Sequence, residues 1–168
     1  MPQIILAINN PDDEVVNSND ISCYLISDNL SEQQIKKALS FGKMVLVKGE
    51  NAIDVCNKYN LDGVVKKVDT SKPIKIQLKY LREKLRKKTL GVIIPARRHE
   101  AMLAGEVEPE FIAFYSDNQL KDKDVISWYN DLFLIPSAWI VDDNLEKANL
   151  MEVDFLIIDS KKIKNFGC

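Results

Sequence analysis

At 168 residues, 46% of them hydrophobic, the chain is long enough for one sizeable core and short for two ordinary domains, so one domain over 1–168 is expected. Its 23 Lys and Arg against 25 Asp and Glu give a net charge of −2. That balance supplies no field toward nucleic acid or an anionic membrane, and favours a small-molecule or protein partner. Cys23, Cys56 and Cys168 are odd in number, far apart and outside any CxxC spacing. They argue against a disulfide framework and a zinc site, and read as reduced thiols of a cytoplasmic protein.

In chain order, the first apolar run, residues 3–8, reads as a strand. It is too short for a signal-peptide core and meets Asn9-Asn10-Pro11-Asp12-Asp13 at once, and no later stretch approaches a membrane span. Residues 10–20 can hardly hold a crossover helix, so the first strand-helix unit is abbreviated or absent. A second strand, 21–26, leads to Ser31, which with Gln34 three positions later forms a capping box. Ile35, Ala38 and Leu39 make the buried stripe of that helix and Gly42 suits its stop. After a strand at 44–47, Asn51 is placed to cap a helix with Ala52, Val55, Cys56 and Tyr59 inside. After a strand at 63–65 comes a helix over 73–88. Its Ile74, Leu78, Leu81 and Leu85 recur at helical spacing while its many Lys and Arg stay in water, so this basic run reads as a solvated face. Strands at 90–94, 111–115, 137–141 and 155–158 then alternate with helices at 100–106, 122–133 and 144–151.

The strands are rich in β-branched residues and apolar throughout, without alternation. That is what strands covered on both faces require, and it points to a parallel sheet with helical crossovers. Eight such strands suggest a compact (β/α)8 barrel with short loops and an abbreviated first unit. Such barrels usually run to ~250 residues, with ~200 the lower end. An open sheet of fewer strands is therefore the alternative.

In these folds ligands bind beyond the carboxyl ends of the strands. There the sequence offers Lys48, Lys66, Arg97, Arg98 and Ser116 as phosphate or substrate contacts, with Asp28 and Asp142 as metal ligands opposite. The group Ala96-Arg97-Arg98-His99-Glu100 follows a strand and opens a helix, whose amide dipoles favour an anion. It holds the only histidine, so His99 is the catalytic candidate, more as a donor to phosphate than as a base, since no carboxylate can be assigned to orient it. Trp128, Tyr129, Leu132 and Phe133 read as core or interface packing rather than a base-stacking platform.

Leu90-Gly91-Val92, then Arg98-His99-Glu100-Ala101-Met102-Leu103-Ala104-Gly105-Glu106, then Phe111-Ile112-Ala113-Phe114 resemble thiamine phosphate synthase around its fifth and sixth strands. Leu61-Asp62-Gly63-Val64, Ile135-Pro136-Ser137-Ala138 and Val153-Asp154-Phe155-Leu156-Ile157 fit the same order at its fourth, seventh and last strands. The resemblance implies a transferase barrel of thiamine biosynthesis, joining a pyrimidine methyl diphosphate to a thiazole phosphate with Mg2+. The chain departs from that pattern in its polar motifs. Ile26-Ser27-Asp28-Asn29 stands where the family has Gln-x-Arg-x-Lys, Lys48-Gly49 where it has Asn-Asp, and Val65 where it has a histidine. Tyr115-Ser116-Asp117 replaces a Gly-Pro-x-x-x-Thr loop, and Val141-Asp142 a Gly-Gly phosphate cradle. The expectation is a divergent barrel binding a phosphorylated small molecule, its coupling activity weakened or lost. The alternatives are an active synthase, or a non-catalytic interaction domain forming a homodimer through the Trp128–Phe133 surface.

Overall fold

Each apolar run becomes a strand: β1 (Gln3–Ile8), β2 (Ile21–Ser27), β3 (Met44–Lys48), β4 (Gly63–Lys67), β5 (Thr89–Pro95), β6 (Phe111–Tyr115), β7 (Ser137–Ile140) and β8 (Phe155–Asp159). The computed structural model, which describes residues 2–166, pairs them in parallel in sequence order and closes β8 on β1. The fold is a (β/α)8 barrel. Its helices are α1 (Glu32–Ser40), α2 (Ala52–Lys58), α3 (Ile74–Leu85), α4 (Arg98–Gly105), α5 (Asp122–Leu132) and α6 (Leu145–Leu150), followed by a 3-10 turn at Ile163–Phe166. Among the described residues no helix is long and apolar enough to cross a membrane.

The strands carry two apolar sets because each feeds two cores. Val45, Val47, Val64, Leu90, Val92, Ile112, Phe114 and Ile158 face the helices. Ile5, Ala7, Leu25, Leu46, Val65, Ile93, Phe111, Ala113, Ala138 and Ile157 fill the barrel. Phe111 plugs the barrel interior opposite Gly91, where a Cβ would lie 2.3 Å from its ring. Glycine is needed there to leave room for the aromatic.

No helix joins β1 to β2. The connection is held by Asp13, whose carboxylate accepts from the amides of Asn9 and Asn10 at 3.1 Å, and by buried Val15. Gln34 donates to the Asp13 carbonyl and the Tyr24 hydroxyl to that of Val16, so the loop covers the barrel side in place of a helix. The Ser31–Gln34 capping box forms as the spacing requires, and Gly42 (φ 72°) ends the segment after α1.

Some local expectations are corrected. Asn51 makes no side-chain cap at α2, and of that helix's expected inner face only Ala52 and Cys56 are buried, Val55 and Tyr59 being half-buried. Helix α3 stops at Leu85 because Arg86 turns to φ 54°. Helix α4 starts at Arg98, two residues early, and β7 ends before Val141. Cys23 and Cys56 are free and buried; Cys168 lies outside the described residues. Burial inside the barrel, with the Asp62 charge adding to it, pushes the Cys23 thiol up to about 12, so it is an inert core group.

Candidate functional site

Strand parity decides which polar side chains reach the carboxyl-end mouth. Leu46 and Val65 point into the barrel, so Lys48 and Lys67, each two residues on, continue the inward row. The same alternation brings Tyr115 from β6 and Asp159 from β8 inward, after Ala113 and Ile157. Their contacts agree with this. The Lys67 ammonium lies 5.2 Å from the centroid of the Tyr115 ring, and Asn9 donates to Asp159 at 2.8 Å. Burial lowers the Lys48 ammonium below the ordinary lysine value; the Asp159 charge opposes this and neighbouring Lys67 adds to it. Two lysines, one carboxylate, a phenol and an amide thus converge on one opening. Such a set can grip a phosphate through the amines while Asp159 orients Asn9 and limits the positive field.

Of the residues nominated from sequence, Lys48 alone belongs to this inward set. Lys66 lies between Val64 and Val68, both in the outer core, so it is outside the inward row and lines the helix side of the same opening. Arg97 stands on the rim as the residue before α4, 3.2 Å from Glu100 and 3.5 Å from Asp117. Those two carboxylates occupy its guanidinium. Arg98 lies on the outer surface, 5.3 Å from the Trp128 ring, and His99 is an exposed residue in the first turn of α4. The Arg-Arg-His group is therefore split, because successive helical residues are about 100° apart.

Ser116 is held in a buried network. Its hydroxyl donates to Asp122 at 2.6 Å, and Lys147 donates to both groups. Asp122 is fully buried and also accepts from the amides of Asp117 and Asn118 at 3.0 Å. Burial works against its charge, yet the hydrogen bonds from Lys147, Ser116 and these amides hold its carboxyl below the ordinary range. This network ties β6, α5 and α6 together and leaves Ser116 no free role at the mouth.

The two carboxylates expected to hold magnesium, Asp28 and Asp142, are engaged in their own loops. Asp28 accepts from the Asn51 amide at 2.7 Å and packs over Gly49, whose φ of 129° leaves room that a Cβ would remove. It thereby ties the loop after β2 to the start of α2. Asp142 accepts from the Asn144 amide at 2.8 Å and lines a separate depression with Asp143 and Glu146. Among the described residues no three His, Cys, Asp or Glu side chains group as metal ligands. The two nominated carboxylates serve their own loops, and the described residues do not fit a preformed magnesium site.

The aromatic surface expected at a dimer face is largely spent within the chain. Tyr129 is buried and stacks on Phe133 at 4.8 Å, and Phe133 meets Trp128 edge-on at 6.2 Å. Phe133 also fills the space a Cβ on Gly105 would need, leaving Leu132 and Leu134 as the exposed apolar residues there.

No protein-family model matches the sequence. The chain is 30% identical over 122 residues to a thiamine-phosphate synthase of Erythrobacter litoralis, a match covering 64% of this chain and 55% of that protein. The match thus spans about half the length of that relative. Among solved structures, the aminoacrylate-bound form of tryptophan synthase from M. tuberculosis superposes with a TM-score of 0.63 at 9% identity, over 99% of this chain and 85% of that one. A Burkholderia cenocepacia protein described as a lyase/mutase does so at 0.62 and 10% identity, over 99% and 80%. At such identities these structures speak to the fold alone. The chain carries the (β/α)8 fold and, over part of its length, is similar in sequence to a thiamine-phosphate synthase.

Proposed function

We propose that this chain is a divergent thiamine-phosphate-synthase-like barrel that binds a phosphorylated small molecule at the mouth, its coupling activity weakened or lost. The observation that carries the reading is the pair of inward amines, Lys48 and Lys67, beside Asp159 and Asn9. The loss of coupling rests on the departures from the family pattern. Residues 26–29 lack the diphosphate-gripping motif, Val141-Asp142 lacks the glycine cradle, and among the described residues no group of ligands for magnesium is assembled to take up the charge of a leaving diphosphate.

Thermal melts with pyrophosphate and with thiazole phosphate test the binding. Either ligand should raise the melting temperature, and Lys48→Met with Lys67→Met should abolish the rise while Lys79→Met, at an exposed position outside the opening, keeps it. A rise that survives the double substitution would move the site elsewhere. Direct assay of thiamine phosphate formation should give little or no turnover; robust turnover would show that the missing motifs are dispensable.

A further inference from the structure

The shortest ladder of the closed barrel leaves a gap in strand pairing beside these lysines. Strands β3 and β4 pair only at Leu46–Gly63 and Val47–Val64, so their ladder stops short of Lys48, while β4 continues against β5 as far as Lys67–Ile93. Outside the gap, α2 and α3 pack less closely on each other than α3 does on α4 or α4 on α5. A cavity of about 1030 Å³ occupies the opening. Its inner end is formed by Ser27, Lys48 and Lys67, and it runs outward past Ile53 of α2 and Ile76 and Tyr80 of α3.

Ile76 and Tyr80 are 69% and 57% exposed, more than a helix packed against its neighbour would leave them. Scattered exposed apolar residues have no meaning by themselves. These two lie four residues apart on one helical stripe, and the same cavity connects them to the mouth. The stripe continues to Lys84, giving about 12 Å of helix from Ile76 at 1.5 Å per residue. Four lysines, Lys48, Lys66, Lys67 and Lys84, line the cavity against two acids, Glu50 and Asp54. The net charge of the lining favours an anion; Lys48 and Lys67 stand at the inner end, while Lys66 and Lys84 flank the apolar groups farther out.

We propose that the site takes an elongated phosphomonoester, its phosphate between Lys48 and Lys67 and its apolar tail leaving through the β3–β4 gap along Ile53, Ile76 and Tyr80. This rests on the phosphate reading above and adds the tail. A compact sugar-like phosphate would fill the mouth and leave the groove wet; a linear tail of about eight carbons would cover the exposed isoleucine and tyrosine.

Calorimetric titration of the whole chain with inorganic phosphate, butyl phosphate and octyl phosphate, kept below micelle-forming concentration, tests it. Octyl phosphate should bind at least about tenfold more tightly than butyl phosphate, the gain expected from partial burial of four further methylenes. Ile76→Ser with Tyr80→Ser, both at exposed positions, should erase that gain and leave butyl phosphate binding unchanged. Equal affinities for the two esters, or a gain that persists in the double variant, would overturn the elongated-ligand assignment while the phosphate reading stands. Failure of all three phosphates to bind would overturn both.

Discussion

Asp122 shows how much one buried carboxylate can hold. It receives the Ser116 hydroxyl, the Lys147 ammonium and two amides, and no part of it reaches solvent. Asp122→Asn leaves Lys147 with no charge partner in that network, and should cost about 3 kcal/mol of stability, measurable by urea unfolding. The hydrogen bonds hold its folded pKa below the unfolded value, so its stabilisation is present above the unfolded pKa and lost as pH falls through the folded one. Melting temperatures recorded from pH 6 to pH 3 should therefore fall more steeply for the parent chain than for Asp122→Asn. Parallel curves would show that Asp122 contributes nothing to acid sensitivity. Strand parity separates neighbours just as sharply. Lys66 and Lys67 are adjacent and chemically equivalent, and one backbone step sends one into the barrel mouth and the other toward the helices.

Element by element, the local signals were legible because their causes are local. The Ser31–Gln34 box needs only four residues in sequence, and it forms. Ser31→Ala should destabilise by about 1 kcal/mol in chemical denaturation, with no change in ligand binding. Asn51 carries the same kind of signal and does not cap; its own amide donates to Asp28 from the preceding strand-helix loop. That tertiary contact fixes the entry to the helix, and no local pattern announces it. The Arg97-Arg98-His99 run failed for a related reason. Its composition suggests an anion site, but helix geometry sends Arg98 to Trp128 and leaves His99 in solvent, and Arg97 is held by Glu100 and Asp117.

For the whole molecule, closure depends on fitting side chains from all eight strands inside one ring. Gly91 and Phe111 are the tightest such fit described above. Gly91→Ala should cost about 1–3 kcal/mol by overpacking against the ring. Phe111→Leu in the same chain should recover part of that loss, so a double-mutant cycle in denaturant measures the coupling. Additive losses would show that the backbone yields there without strain. Sequence order and apolar content sufficed for the number of strands, their parallel direction and the abbreviated first unit, because burial on both faces leaves a continuous apolar run and short connections leave no room for a helix. Which half of each strand faces the barrel was decided only by tertiary structure. When both faces are buried, both sets of alternating residues are apolar, and the pattern carries no sign of inside or outside. The inward row of Lys48, Lys67, Tyr115 and Asp159 therefore comes into view only once the ring is closed and its register set.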